Sequence, residues 1–347
     1  MEPSCILVTG GAGYIGSHTT LALLQAGHRV VVLDNLCNGS VEALHRIEKL
    51  CGKRPELIIG DICDTSLLNE LFAKHQFAAV LHFAGLKSVG ESAHKPLTYY
   101  ENNVMGSLNL CKAMARAGVY HLVFSSSATV YGESAQMPIH ESFPTGAPTN
   151  PYGRSKLMVE QMLRDLADSD PRWSIAMLRY FNPVGAHSSG LIGEDPQGTP
   201  NNLLPYVAQV AIGKFSELAV YGNDYPTRDG TGVRDYIHVV DLASGHLKAL
   251  QAIESTSGVK TWNLGTGTGY TVLEVIKTFE RASGRQVPYR IMSRRPGDVA
   301  ECWASPDKAA KELGWRAEHD LETMMIDLWR WQLNNPHGYS AQATQMV

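Results

Sequence analysis

A chain of 347 residues, 44% of them hydrophobic, can bury a full core and suits one large domain with a smaller one beside it. Its formal net charge of −4 gives no electrostatic ground for nucleic acid or a membrane as partner. Six scattered cysteines without a CxxC pair, and thirteen histidines none closer than seven residues with no HExxH, argue for reduced thiols in a cytoplasmic protein and for no metal site.

In chain order, the first expected element is a strand over residues 5–8, an apolar run too short for a signal peptide or a membrane span. It runs into Gly10-Gly11-Ala12-Gly13-Tyr14-Ile15-Gly16 and a helix over 14–26. Glycines between a strand and a helix turn the chain tightly and bring backbone N–H groups against a pyrophosphate, whose charge the helix N-terminus favours. The set reads as Gly10, Gly13 and Gly16, or as Gly11, Gly13 and Gly16. A second strand over 29–33 ends at Asp34, eighteen residues past Gly16. A carboxylate there hydrogen-bonds a ribose 2′-hydroxyl and repels a 2′-phosphate, which predicts NAD rather than NADP. The third strand, 56–60, ends at Asp61-Ile62, placed to meet the adenine ring, and a helix over 65–74 follows. The fourth, 78–83, leads through His82-Phe83-Ala84-Gly85, which puts small residues where the cofactor backbone passes.

A helical stretch over 96–117 precedes a fifth strand, 121–125, which leaves through Ser125-Ser126-Ser127-Ala128-Thr129-Val130-Tyr131-Gly132. A serine at that strand end, on the nicotinamide side, can bond a reacting hydroxyl and help pass its proton to a base. The next helix, 151–167, opens with Pro151-Tyr152-Gly153-Arg154-Ser155-Lys156, and the spacing of four puts Tyr152 and Lys156 on one face, one turn apart. A phenol ionises near pH ~10, so a base at neutral pH needs a shift of about three units, roughly 4 kcal/mol. An adjacent ammonium and an oxidised nicotinamide together can supply that. A sixth strand is expected over 174–180. Short apolar strands alternating with helices imply an α/β fold, a Rossmann-type doubly wound parallel sheet that binds ligands beyond the carboxyl ends of its strands.

After Tyr180 the pattern changes. Residues 181–205 are rich in Gly, Pro and Asn, as in loops that shape a pocket, and helices are expected near 203–212, 239–252, 271–282 and 321–332, with a polar tail from about Asn335. The expected division is 1–180 as the NAD-binding domain and 181–347 as a smaller α/β substrate domain, with some of the chain crossing back.

Four stretches are the most specific: Val8-Thr9-Gly10-Gly11-Ala12-Gly13-Tyr14-Ile15-Gly16-Ser17-His18, His82-Phe83-Ala84-Gly85-Leu86-Lys87, Arg179-Tyr180-Phe181-Asn182-Pro183 and Gly232-Val233-Arg234-Asp235-Tyr236-Ile237-His238. Through them the chain resembles, over nearly its whole length, the extended short-chain dehydrogenase/reductase superfamily and within it the UDP-glucose 4-epimerase (UDP-galactose 4-epimerase) family. The resemblance implies reversible C4 epimerisation of UDP-glucose and UDP-galactose through a transient 4-keto sugar. Tyr152 would take the proton of the 4-hydroxyl while NAD takes the C4 hydride, with Ser127 assisting and Thr129 touching the sugar. Lys156 would hold the nicotinamide ribose and depress the tyrosine. The keto sugar would swing about its diphosphate link and take the hydride back on its other face, so NAD is not consumed.

The same resemblance adds Tyr14, Ile15, Asn35, Lys87, Asn102, Ser125 and Tyr180 to the cofactor site. Arg234 and Arg295 would clamp the diphosphate, since guanidinium forks match phosphate oxygens. Phe181, Asn182, Asn202, Leu203, Tyr221, Tyr236 and Asp298 would line the UDP-sugar site. Cys302 falls where the family borders the sugar 2-substituent; a small residue there implies that UDP-N-acetylglucosamine and UDP-N-acetylgalactosamine are also accepted, where a tyrosine would exclude them. Sister dehydratases and decarboxylases place an acidic residue, or an Asp-Glu pair, after the serine, where this chain has Ala128-Thr129. An NAD-dependent nucleotide-sugar dehydrogenase or a dehydratase of the same superfamily is therefore the less favoured alternative. The 96–117 stretch and the Tyr152 helix resemble a pair that forms a four-helix contact, which implies a homodimer.

Overall fold

Aliphatic and β-branched runs too short for helices build a seven-stranded parallel sheet in the computed structural model, which describes residues 4–133, 136–295 and 297–339. In chain order the strands are β1 Cys5–Thr9, β2 Arg29–Asp34, β3 Glu56–Ile59, β4 Ala79–His82, β5 His121–Ser127, β6 Ser174–Tyr180, β7 Asn182–Val184, β8 Leu218–Tyr221, β9 Val233–His238, β10 Gly258–Leu264, β11 Gly269–Thr271, β12 Tyr289–Met292 and β13 Glu301–Cys302. The large sheet runs β10-β6-β5-β4-β1-β2-β3. Its order reverses between β1 and β4, and a crevice at such a reversal is where ligands bind in open parallel sheets.

Both faces of that sheet are covered, which is why its central strands are apolar throughout rather than alternating. On one face Leu21, Leu23 and Leu24 of the helix Tyr14–Gln25 pack with Leu242, Ala249 and Leu250 of Val239–Ile253. On the other, Leu68 and Leu71 of Thr65–Lys74, Leu110 and Met114 of Gly106–Arg116, and Val159 and Leu163 of Pro151–Ser169 form a second core. A smaller sheet, β11-β9-β13 with β7 also on β9, and the pair β12-β8 come from the second half of the chain. The helices Leu203–Ala211, Val272–Ser283 and Leu321–Asn334 surround a third core there.

Three expectations change. The 96–117 stretch is not one regular helix: Pro96–Tyr99 passes through a π-helical turn, Tyr100–Met105, before Gly106–Arg116. β5 continues to Ser127, two residues beyond its expected end, so Ser126 and Ser127 belong to the sheet. The expected polar tail is docked through Tyr339: Asn335 is buried and donates to the Gly190 carbonyl, and Tyr339 lies under the Arg46 guanidinium. Residues 340–347 of that tail fall outside the described residues.

Candidate active site

The turn after β1 brings the glycines together for different reasons. Gly10 has φ +71°, and a Cβ on it would stand 2.7 Å from the Ala84 nitrogen; a Cβ on Gly16 would stand 2.1 Å from the Gly10 carbonyl oxygen. Those two are demanded by the packing of the protein. Gly13 is not: a Cβ there would meet only the Gly10 oxygen, at 3.4 Å. Gly13 starts the helix that carries Tyr14 and Ile15, and no side chain caps it. Open space and an uncapped helix N-terminus are what a pyrophosphate needs.

Asp34 closes β2, almost fully buried, accepting from the Ala12 N–H at 2.9 Å and the Leu36 N–H at 2.8 Å. Burial raises its pKa and the two N–H groups work against that. Each oxygen keeps a lone pair for a ribose hydroxyl. Asn35 reaches across to Asp61 at 2.8 Å, and Asp61, although burial opposes its ionisation, is held below the usual range by the Cys63 N–H and the Asn35 amide. The Ile62 side chain is core, packed where a Cβ on Gly106 would meet it at 2.5 Å, so only its backbone is offered to a ring at this edge. Phe83 and Ala84 both donate to the Thr9 carbonyl, and Phe83 lies against His246. Lys87 pairs with Glu194 at 3.0 Å, and Asn202 donates to the same carboxylate at 3.1 Å.

Ser125, Ser127, Tyr152, Lys156 and Tyr180 converge at the carboxyl ends of β5 and β6. Asn150 caps the helix that carries the pair, accepting from the Gly153 N–H at 2.9 Å, and Pro151 occupies its first turn. The Lys156 ammonium is buried, donates to the Ser125 carbonyl at 2.7 Å, and is pushed down to about 8 by burial. A Cβ on Gly85 would stand 3.6 Å from it, so the β4 exit and the lysine face each other. Burial raises the Tyr152 phenol, and the nearby Ser127 hydroxyl pulls it down. Ser127 in turn accepts from the Thr129 hydroxyl at 2.9 Å. Tyr180 donates to His246 Nε2 at 2.6 Å, because the other ring nitrogen faces the Leu242 carbonyl, which can only accept. Tyr180 is pushed well up by burial, with the nearby Ser125 hydroxyl working against that.

A second group gathers on the small sheet. Asn182 pairs in register with Tyr236, and Cys302 with Arg234. Arg234 donates to the Val233 carbonyl at 2.8 Å and lies 3.7 Å from Asp298. The Arg295 guanidinium stands 4.2 Å over the ring of Tyr221 at the end of β8. Cys302 is half-buried beside Phe181, Ile139 and Ala304. Burial raises its thiol to about 11 with Arg234 opposing, so it is protonated at neutral pH and is no nucleophile. Leu203 opens the helix that follows Asn202.

Sequence reasoning passed over several residues that build this site. Asn103, next to the expected Asn102, is the buried one: it accepts from the Leu86 N–H at 2.8 Å and donates to Ser155 Oγ at 2.9 Å. Asp235 takes the Thr266, Gly267 and Ala304 N–H groups and so joins β9 to two other segments. Glu160 had a visible signal, lying four residues past Lys156 on the same helix face.

The family model described as GDP-mannose 4,6 dehydratase matches residues 7–328. The UDP-glucose 4-epimerase of Bacillus subtilis (strain 168) is 60% identical over 336 residues, which is 97% of this chain and 99% of that protein. Among solved structures, the UDP-glucose 4-epimerase of Bifidobacterium longum in complex with NAD+ and UDP has a TM-score of 0.94 at 54% identity, covering 96% of this chain and 100% of that one. The enzyme of the same name from Stenotrophomonas maltophila, with bound NAD and formylated UDP-arabinopyranose, has a TM-score of 0.94 at 53% identity, covering 96% and 99%.

Proposed function

The chain belongs to the family that the GDP-mannose 4,6 dehydratase model describes and, within it, to the UDP-glucose 4-epimerases; on that premise we propose how its residues carry out the reaction. The protein is an NAD-dependent isomerase that interconverts UDP-glucose and UDP-galactose at C4. NAD, when bound, supplies reversible hydride exchange at C4, so the cycle passes through a 4-keto sugar with no net redox change. Gly13 and the helix start behind it take the pyrophosphate, Asp34 the adenosine ribose, and Lys156 the nicotinamide ribose.

Tyr152 takes the 4-hydroxyl proton, and Ser127, near Tyr152 and bonded to Thr129, steers that hydroxyl toward it. Lys156 acts on the phenolate through its field, since its ammonium is directed at the Ser125 carbonyl. Arg234 and Arg295 hold the diphosphate, while Asn182, Asn202, Leu203, Tyr221, Tyr236 and Asp298 line the UDP end and Phe181 the sugar end, so the nucleotide is fixed and the sugar left free to turn. The observation that carries this reading is Lys156 anchored on the Ser125 carbonyl at the end of β5, with Ser127 beside Tyr152 and Ala128-Thr129 directly after the serine. A dehydratase needs an acid at that place to protonate its leaving group, and Thr129 is bonded to Ser127 instead. Its test is proton NMR of the protein with UDP-galactose and no added NAD. Growth of the UDP-glucose anomeric signal without free NADH is expected; no product even with NAD supplied overturns it.

Cys302 takes less space than a tyrosine would at that position, which supports UDP-N-acetylglucosamine and UDP-N-acetylgalactosamine as further substrates. Exposed Leu97, Met105 and Met158 lie on the segment Pro96–Tyr99, the π turn and the Tyr152 helix, and they support a homodimer through that face. No helix among the described residues is long and apolar enough to cross a membrane. With six free cysteines among those residues, the chain fits a cytoplasmic setting.

A further inference from the structure

Tyr152, Lys156, Glu160 and Arg164 recur every four residues and form one stripe of the helix Pro151–Ser169. That stripe is fastened to two successive residues of β5. The Ser125 carbonyl takes Lys156 Nζ at 2.7 Å, and Ser126 Oγ donates to Glu160 Oε1 at 2.6 Å, with Ser127 next in line near Tyr152. Side chains alternate along a strand, so Ser126 points with Leu122 and Phe124 toward the helix layer, while Ser125 and Ser127 point the other way. Ser126 is in register with Arg179 of β6, and one residue further on Ser127 is in register with Tyr180. Arg179 also faces the helix and grips the same carboxylate with two nitrogens, Nε to Oε1 at 2.8 Å and Nη2 to Oε2 at 2.6 Å.

Glu160 thus holds a cross-strand pair, one from β5 and one from β6, a single register step beneath the pair that faces the reacting centre. Arg179 and Glu160 are 2% and 1% exposed as side chains. A buried ion pair adds little stability over a well-packed apolar pair. What a two-pronged, fully buried contact does supply is direction and register. Among the described residues, the other charged group paired with Glu160 is Arg164, 3.8 Å away, and Arg179 is backed by the Tyr131 ring at 4.7 Å.

We propose that Glu160 is a positioning residue for the epimerisation: by gripping Ser126 and Arg179 it sets the register of the Tyr152 helix against β5, and so the approach of Tyr152 to Ser127. The proposal rests on the assignment of Ser127, Tyr152 and Lys156 given above. It is tested by steady-state kinetics of Glu160→Gln and Ser126→Ala with UDP-galactose, each followed from pH 5.5 to 9 and referred to folded enzyme. Misplacement of about 1 Å can cost on the order of 100-fold. The expectation is kcat about 10- to 100-fold lower for Glu160→Gln and about 3- to 10-fold lower for Ser126→Ala, with KM within about twofold. The acid limb of kcat should move up in both, because a phenol less well met by Ser127 ionises later. Glu160→Gln removes a negative charge beside Arg179, which by field alone would move that limb down. A downward shift, or kcat and limb both unchanged while only thermal stability falls, overturns the proposal. Should Glu160→Gln fail to fold, Ser126→Ala decides on the same criteria, since it changes no charge. Wild type inactive on UDP-galactose, or Tyr152→Phe at full turnover, would instead sink the assignment beneath it.

Discussion

A phenol raised by burial has to lose its proton for Tyr152 to serve as a base, so everything at this position depends on the two groups beside it. Ser127 already opposes the burial, and Lys156 lies one helical turn away with its charge kept close by a 2.7 Å bond to the Ser125 carbonyl. Tyr152→Phe keeps the ring and removes only the titrating group. Turnover should fall by at least about 1,000-fold, the scale of a lost proton transfer, while UDP titration by calorimetry remains near wild type. Cys302 poses the other residue-scale question. It shares a cluster with Phe181, Ile139 and Ala304, so a larger side chain there has to grow toward the sugar or displace those neighbours. Cys302→Tyr should lower kcat/KM for UDP-N-acetylgalactosamine by about 10- to 200-fold, the usual range for filling a substrate pocket, and change that for UDP-galactose by less than about fivefold. Undiminished N-acetyl activity would show that the room lies elsewhere. Tyr152 and Lys156 could be read as a pair because helical spacing is a local property. Asn103 and Glu160 could not be assigned a task, because their partners lie on other elements: Leu86 and Ser155 for one, Ser126 and Arg179 for the other.

The strand–turn–helix at the start of the chain shows how one glycine motif serves two purposes. Gly16 is packed so that a Cβ would sit 2.1 Å from the Gly10 carbonyl, whereas Gly13 has no such neighbour. Gly16→Ala should therefore destabilise the protein, by about 1–3 kcal/mol for a forced overpacking, measurable as a lower urea midpoint. Compared as cofactor-free proteins, Gly13→Ala should leave that midpoint unchanged and show its effect in the cofactor content of the protein as purified, read from its absorbance. If Gly13→Ala also lost stability, its glycine would be a demand of the fold rather than of the pyrophosphate. The six strands expected in the first half all occur in the large sheet, since apolar runs bounded by Gly and polar residues are strong signals when both faces are buried. The π turn at Tyr100–Met105 left no trace in the pattern. Its extra residue matters only through where it places Asn103 against Leu86, and that is a tertiary contact.

Across the whole molecule, β10 completes the large sheet from the second half of the chain, in register with β6 over seven residues. Its Asn263 accepts from Tyr131 at 2.7 Å and donates to the Ile139 carbonyl at 2.9 Å, so β10 is tied by buried hydrogen bonds to the segment that follows β5. Three histidines are also locked into the core as neutral rings. Burial pushes His18 and His82 down to about 3 and His246 down to about 4. The unfolded chain protonates such rings near pH 6.5. Between that value and their folded values the unfolded state binds more protons, so stability is full above about pH 6.5 and is lost as pH falls. The slope is up to about 1.4 kcal/mol per pH unit for each histidine. Asp34 and Asp235, raised by burial, act in the opposite sense nearer the carboxylate range, so the clean window is pH 6.5 to 5. Urea midpoints should be flat from pH 7.5 to 6.5 and fall below it; a midpoint constant down to pH 5 would mean that the folded state protonates these rings. By itself the sequence determined the parallel α/β sheet, the glycine turn, the acid closing β2 and the tyrosine–lysine face, because each follows from residues within a few turns or one strand of each other. Only the tertiary structure decided that β10 is the segment that crosses back to the first sheet, that residues 335–339 are docked, and that Glu160, Arg179 and Ser126 meet, since strand register and buried charge pairing depend on residues far apart in the chain.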